Sequence, residues 1–335
     1  MVPRRFRLFI LAVVLASTTC LSFAQQLRSA IVIAPSQQAT LWTEPTDIKT
    51  RNLYYGPGGE ADQPHGPLTF IKEDDAGTSP KFEVKDADGT KWKAKLGPEA
   101  QPETVATRLM WAVGFTTNEN YFMPDVKVAD LPPLKRGREF VTGDEVKAVR
   151  LQRTTAGKKV GHWNWRRNPF KGTREFNGLR VMMALLSNWD LKDDNNAILE
   201  DRNDPHHLLY EVSDLGASFG RSGKSYTDRI TKHNFAAYRR SKFISKKTKD
   251  HVDFAFPTHP PFLYAFNLPF FLGKMRNHWI GKHIPRADAK WIGSELAQLS
   301  DGQIQDAFRA AGYSPREVSQ YTAALRARIT ALEEL

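Results

Sequence analysis

Asn188-Trp189-Asp190-Leu191-Lys192-Asp193-Asp194-Asn195-Asn196 is too acidic and too rich in amides to end a core helix, and it runs directly into the apolar Ala197-Ile198-Leu199. Downstream, Leu208-Leu209-Tyr210-Glu211-Val212-Ser213-Asp214-Leu215-Gly216 carries a second carboxylate out of an apolar strand. An Asp at a strand exit followed by Gly presents its oxygens well, because Gly lets the backbone turn sharply. Taken singly, each segment also reads as an ordinary turn, since Asp, Asn and Gly favour turns for reasons of their own. Company separates the two readings. Phosphoryl transfer needs a carboxylate near the attacking hydroxyl, an amide and a carboxylate holding Mg²⁺, and a lysine on the phosphates.

The flanking sequence supplies strands and a lysine. Leu68-Thr69-Phe70-Ile71 reads as a strand, Glu73 to Pro80 as a turn-rich loop, and Lys81-Phe82-Glu83-Val84 as a second strand. Asp86-Ala87-Asp88-Gly89 turns the chain into Lys91-Trp92-Lys93-Ala94-Lys95-Leu96, a third alternating strand. Pro98 and Glu99 open a helix with Val105, Leu109, Ala112 and Val113 on one face, and Gly114 closes it. Val146 to Leu151 is a further strand, and the basic, aromatic tract from Thr154 to Gly172 ends the strand-rich half. From Arg174 the pattern turns helical, with Phe176, Leu179, Val181, Met182, Leu185 and Leu186 forming a broad apolar face. Near the end Val318, Tyr321, Leu325, Ile329 and Leu332 recur at three- and four-residue steps behind a Ser314-Pro315 start. The division expected from this pattern is a polar leader at 25–63, a β-rich lobe at 64–153, a linker at 154–173 and a helical lobe at 174–335.

These motifs carry a resemblance. Asp190-Leu191-Lys192-Asp193-Asp194-Asn195 has the D-L-K-x-x-N form of the protein-kinase catalytic loop, and Asp214-Leu215-Gly216 sits where that family places D-F-G. Asn188-Trp189-Asp190 resembles the N-x-D of atypical, HipA-like kinases. Lys95-Leu96-Gly97 followed by Glu99 and Glu103 resembles the K-x-G-D-D-x-x-x-D run of phosphoinositide 3-/4-kinase-like enzymes. The likeness covers about residues 65–220, in family order. It implies an α+β, bilobal protein kinase-like fold with a β-rich N-lobe and a helical C-lobe, and ATP with Mg²⁺ (or Mn²⁺) as cofactors. It further implies that Asp190 orients or deprotonates the acceptor hydroxyl and that Lys192 neutralises the transferring phosphoryl. Asn195 and Asp214 would hold the metal, and Lys95 the nucleotide phosphates with Glu103 as its ion-pair partner. Backbone N–H groups near Gly77, Thr78 and Ser79 would cover the phosphates. Lys93 competes with Lys95, as both lie on one face of one strand; the K-x-G match favours Lys95. The sequence departs from the family pattern in having no G-x-G-x-x-G, and no A-P-E after Asp214. The segment through Arg239-Arg240-Ser241-Lys242 is basic instead.

Composition bounds the setting. The chain has 335 residues, is 41% hydrophobic and 25% charged, and carries a formal net charge of +11, while its mean hydropathy is −0.49. These values exclude a polytopic membrane protein, a collagenous chain and a fully disordered one. Arg4, Arg5 and Arg7 precede the apolar run Leu8 to Ala16, and Ser22-Phe23-Ala24 places small residues before a cut at Gln25. That layout is a secretory signal peptide at 1–24, and its apolar run is too short to span a bilayer. Export to the periplasm or beyond is expected, with no permanent membrane span once the signal is removed. Basicity favours an anionic acceptor or partner, and export argues against nucleic acid. Cys20 is the single cysteine, so a disulfide framework and a Cys-based zinc site are excluded.

Other chemistries have weaker footing. His206, His207, His259 and His278 lack the H-E-x-x-H spacing of zinc hydrolases. Gly216-Ala217-Ser218-Phe219-Gly220 has the letters of a serine-hydrolase elbow, which demands a helix immediately after Ser218; Arg221 to Ser225 reads as a loop that echoes a phosphate-binding loop without its full spacing. Trp163, Trp165, Phe262, Phe266, Phe270 and Phe271 are expected in the core and between lobes. A catalytically inactive, kinase-like nucleotide-binding or scaffold protein of the cell envelope is the main alternative to an active enzyme, and a serine hydrolase using Ser218 the second.

Overall fold

The alternation Lys91-Trp92-Lys93-Ala94-Lys95-Leu96 sorts one strand into an apolar face and a cationic face, and the structure uses both. In the computed structural model, which describes residues 38–75, 77, 79–153, 157–220, 233–256 and 277–335, this strand is β4 (Lys91–Leu96). It pairs antiparallel with β3 (Lys81–Lys85) across a turn in which Asp86 Oδ1 accepts from the backbone N–H of Asp88 and Thr90. Asp86 Oδ2 accepts from the Trp92 indole at 2.7 Å, which fixes the register of the hairpin. Strand β2 (Leu68–Asp74) adds to β3, followed by β5 (Glu119–Ala129), β7 (Glu145–Arg153) and the two-residue β6 (Val141–Thr142). Because β4 also pairs with β7, five of these strands close on themselves. Phe82, Val84, Trp92, Ala94, Leu96, Tyr121, Val149 and Leu151 fill the interior as one buried cluster.

Helix α1 (Ala100–Ala112) follows β4 through Gly97, whose φ of +89° belongs to the left-handed region that glycine enters without strain. The expected Val105–Leu109–Ala112–Val113 face is buried, but it joins the second, larger apolar cluster rather than the interior of the closed strands. The helix thus sits on the outer, cationic side of β4 and β7.

The remaining described elements build that larger cluster. A four-stranded sheet runs in the order β1 (Gln38–Thr40), β10 (His207–Val212), β9 (Asn196–Asp201), β8 (Gly157–Gly161), with β1 parallel to β10. A three-stranded sheet joins β11 (Ile244–Lys247), β12 (His251–Phe254) and β13 (Ile284–Pro285). The helices are α2 (Arg174–Leu185), α3 (Phe235–Arg240), α4 (Arg286–Ala297), α5 (Asp301–Ala310) and α6 (Pro315–Glu333). Ser314 caps α6 in a reciprocal box with Glu317, with Pro315 in the first turn, and Val318, Tyr321, Leu325, Ile329 and Leu332 are all buried. Arg328 on the same helix donates to the carbonyls of Ala184, Leu185 and Tyr238 and stacks over the Tyr238 ring, tying the last helix to the end of α2.

Helices and sheets are mixed as an α+β fold requires, and the structure differs from the sequence expectation in three places. The stretch taken as a polar leader is folded from residue 38: Leu41, Ile48 and Leu53 are buried in the larger cluster, and β1 extends its sheet. The tract taken as a linker contributes β8 and the buried Trp163 and Trp165. The half taken as helical carries five further strands among its described residues. The signal segment, Phe262, Phe266, Phe270, Phe271, His259 and Arg221 to Ser225 lie outside the described residues.

Candidate active site

The cationic face of β4 separates its two lysines. Lys93 is half exposed and pairs with Asp74 at 3.3 Å. Lys95, opposite Arg150 on β7, is only 4% exposed and its Nζ meets three carboxylates. These are Glu99 Oε2 at 2.6 Å, Glu103 Oε2 at 3.0 Å and Asp214 Oδ1 at 3.2 Å. They come from three places: the start of α1, its first turn, and the loop after β10. Glu103 is itself shared, its Oε1 accepting from Arg150 at 2.7 Å. Arg150 reaches on to Asn120 Oδ1, and Asn120 donates to Thr107 Oγ1 at 2.8 Å. Sequence reasoning had placed Lys95, Glu103 and Asp214 together; their convergence is direct.

Two cations therefore face three carboxylates in a buried cluster, which leaves one negative charge in excess. Burial pulls the Lys95 ammonium down, but the carboxylates of Asp214, Glu103 and Glu99 outweigh it and hold the amine above its usual range. For Asp214 burial pushes upward, and Lys95 together with the Gly216 N–H overrides it, so the carboxyl stays below its ordinary value. Asp214 keeps 42% of its side chain exposed, so its remaining capacity faces solvent.

Glu99, part of the motif that the sequence shows, carries no role in the sequence reading, yet it belongs to the cluster. It is the nearest anion to Lys95, accepts from Ser79 Oγ at 2.8 Å, and lies against Gly216, where an added Cβ would come within 2.7 Å of Glu99 Cβ. Its signal was present in the four-residue spacing from Lys95 across Gly97. Ser79 thereby brings the loop after β2 onto the cluster. Gly77, of that same loop, is exposed with φ +69°, and its carbonyl accepts from Arg136 at 2.6 Å. Thr78 lies outside the described residues. Lys81, half-buried beside Asp74, is a further cation at this end, its amine lowered by burial and by Lys93 and Lys95.

The second group of expected residues lies on the loop between α2 and β9. The chain leaves α2 through Ser187 at φ +54°, a left-handed conformation uncommon for a residue with a side chain. Fully buried Asn188 then accepts from the Asp190 N–H at 3.1 Å. Lys192 Nζ sits 3.0 Å from Asp190 Oδ2, and Asn195 Nδ2 donates to the Asp190 carbonyl at 2.7 Å, which leaves Asn195 Oδ1 as an acceptor. Asp193 braces the loop by accepting from Asn164 and from the Trp165 N–H. The Asn195 carbonyl accepts from Ser213 N at 2.8 Å and Ser213 Oγ at 3.2 Å, one residue before Asp214. The two groups are thus joined through the strand exit of β10.

The donor set suits a hard divalent cation. Asp214 and Asn195 offer carboxylate and amide oxygens, and Mg²⁺ takes one or two such ligands and completes its shell with water and phosphate. Among the described residues no cluster of three or more His, Cys, Asp or Glu side chains is arranged to hold a metal by itself. The serine-hydrolase expectation fails on geometry. Ser218 is fully buried and its Oγ has no hydrogen-bond partner among the described residues, so no base stands beside it to activate it; residues 221–232, where the helix of such an elbow would follow, lie outside the described residues.

No family model matches the chain, and no curated protein matches it. Among solved structures, the amicoumacin kinase hAmiN in complex with AMP-PNP, Ca²⁺ and Ami matches over 79% of this chain and 89% of that chain, at 10% identity and a TM-score of 0.21. A likeness that distant carries no argument about this chain, whose reading stands on its own geometry.

Proposed function

We propose that the chain is a bilobal, kinase-like phosphotransferase that uses ATP and Mg²⁺ to phosphorylate a hydroxyl acceptor outside the cytoplasm. The observation that carries this reading is the convergence of Lys95, Glu103 and Asp214 from three separate elements on one buried point. In the proposed arrangement the closed strands with α1 form one lobe, the larger cluster forms the other, and the nucleotide lies between them. Lys95 would turn in part from its carboxylates to the phosphates, with a cation on Asp214 offsetting the negative charge that otherwise holds the amine. Asn195 and Asp214 would hold Mg²⁺, which when bound neutralises charge on the phosphates. The acceptor oxygen attacks the γ-phosphorus as the bond to the β-phosphate oxygen breaks, ADP departs, and the hydroxyl proton passes to the Asp190 carboxylate. Lys192, already paired with Asp190, turns to the transferring group.

An anionic acceptor is supported by the exposed Arg239, Arg240, Lys242, Lys246, Lys247 and Lys249. The segment that bears them is anchored near the catalytic loop, with Ser241 Oγ 3.5 Å from Ser187 Oγ. Export is supported by the signal-like order of residues 1–24. Among the described residues no helix is long and apolar enough to cross a membrane. A second reading, a nucleotide-binding scaffold without turnover, is favoured by the ion pair that ties Asp214 to Lys95 and away from a metal.

A thermal-shift titration of the mature protein with ATP plus Mg²⁺ or Mn²⁺, run beside Asp214→Ala and paired with a γ-phosphate transfer assay, tests the proposal. Stabilisation that needs Asp214, together with transfer, is the expected result. Stabilisation without transfer supports the scaffold. A shift that persists unchanged in Asp214→Ala removes the assigned metal site.

A further inference from the structure

Strand β10 alternates strictly. Leu208, Tyr210 and Val212 enter the larger apolar cluster, so Leu209 and Glu211 face the other way. On that face Glu211 lies opposite Ala197, and Leu209 opposite Leu199. Ala197 and Leu199 are each 1% exposed yet belong to neither apolar cluster. They form a small buried apolar floor outside both clusters.

Above this floor the polar groups are left incomplete. Glu211 is 3% exposed; its Oε1 accepts from Asn118 Nδ2 at 2.9 Å, while its Oε2 is buried without a partner among the described residues. Asn118 is also buried, and because its amide nitrogen serves Glu211, its Oδ1 is an acceptor, again buried without a partner. The neighbouring Thr117 Oγ1 makes no hydrogen bond either. Buried polar atoms are almost always paired, so two unpaired acceptors side by side call for an explanation. What this place lacks is donors.

Its position says which donors. Glu211 is three residues before Asp214, and since β10 ends at Val212 the chain turns between them; their backbone positions are at most about 10 Å apart, the scale of a nucleoside between its base and its phosphates. Burial and Lys93 lower the Lys159 amine on β8 while Glu211 raises it, so these three charges lie within range of one another. We propose that Glu211 and Asn118 form the base-reading end of the nucleotide site and accept from the exocyclic amine of adenine, whose ring rests on Ala197 and Leu199. This inference rests on the phosphotransferase reading above and names its nucleotide specificity. Burial raises the Glu211 carboxyl to about 7, against the pull of the Asn118 amide and Lys159; an N–H donor delivered to Oε2 stabilises the ionised form. The competing occupant is a buried water, which would satisfy the same acceptors without regard to base.

The test compares ATP with ITP, whose base carries a carbonyl oxygen where adenine carries the amine, each with Mg²⁺ and read by calorimetric binding to the full mature chain. The wild type is expected to bind ATP at least about tenfold more tightly, because inosine loses the hydrogen bond and sets an acceptor against acceptors. Glu211→Gln, checked for folding by circular dichroism, offers an amide donor in the same shape. It is expected to bring the ATP/ITP ratio to unity or invert it. Equal wild-type affinities for the two nucleotides overturn the base-reading role while leaving nucleotide binding intact, and the wild-type comparison needs no variant to fold. Failure of both nucleotides to bind overturns this inference and the phosphotransferase reading together.

Discussion

Asp214 and Glu211 leave the same strand three residues apart, and their surroundings push them in opposite directions. Asp214 has an ammonium and a backbone N–H on one oxygen and stays ionised below the ordinary carboxylate range. Glu211 has one neutral amide on Oε1 and the weaker pull of Lys159, and burial outweighs both and raises it to about 7. The first end of the proposed site is crowded with charge that answers charge, with Lys95 and Arg150 set against Glu99, Glu103 and Asp214. The second end is polar, neutral in its partners and short of donors. A buried carboxylate is thus not one kind of feature: what surrounds it decides whether it holds the fold together or waits for something else.

The largest effect should come from removing the cation that unifies the first end. Lys95→Met strands three carboxylates beside one arginine, and breaking a buried pair in this way costs about 3–5 kcal/mol. Urea denaturation would read that loss, and phosphate transfer should fall by about a hundredfold or more. Lys93→Met removes a half-exposed amine from the same strand face and should stay within about 0.5 kcal/mol. Equal losses in the two variants would mean that burial, and not convergence, had been misjudged at this end.

Stability against pH separates Glu211 from Asp214, although burial also raises Glu103 at the first end. Glu211 binds its proton more tightly in the folded chain than in the unfolded one, so its contribution is complete below the ordinary carboxylate value of 4.5 and is lost as pH rises toward about 7. The loss is on the order of 3 kcal/mol. Asp214 has the reverse sign: its contribution is present at neutral pH and vanishes as pH falls through its depressed folded value. Glu211→Gln should flatten the unfolding free energy between pH 4.5 and 7 and leave the acid limb alone. An unchanged slope in that variant would mean that Glu211 is ionised throughout. Asn118 and Lys159 are the groups that pull on Glu211; because His65, His233 and Glu103 also shift near this window, the difference between wild type and Glu211→Gln, and not the wild-type slope, isolates Glu211.

The charged end was the more legible in sequence, for a physical reason. Lys95 ends a strand four residues before Glu99 across the Gly97 turn, Glu103 follows Glu99 by one helical turn, and Asp214 announces itself by Gly216 two residues on, so local spacing carries most of the geometry. Glu211 gave a weaker sign, one carboxylate inside Leu208 to Val212, because its meaning depends on Asn118 in a distant loop. Strand β5 was missed because Pro124 sits in its middle; the structure accommodates it with Ala148 at φ +51° across the ladder, between the Met123–Val149 and Asp125–Lys147 pairs. Residues 38–53 were read as a leader because their apolar residues are sparse. They are held by long-range partners, β1 against β10 and Arg51 over Trp111, and composition does not register such pairings.

The smallest expected effect probes how the first end is covered. Ser79 is the only side chain of the described part of its loop that touches the cluster, through Glu99 Oε2. That oxygen is already answered by Lys95 at 2.6 Å, so Ser79→Ala removes a second donor from a satisfied acceptor. The cost should be no more than about 1 kcal/mol, with Lys135 to Asp75 and Arg136 to the Asp74 carbonyl still fastening the loop. Because the variant frees only the contact nearest the proposed phosphates, it should raise the KM for nucleotide a few-fold and leave kcat nearly unchanged. A fall in stability as large as that of Lys95→Met would invert the comparison: the loop would then hold this end of the site, and Lys95 would be one of its passengers.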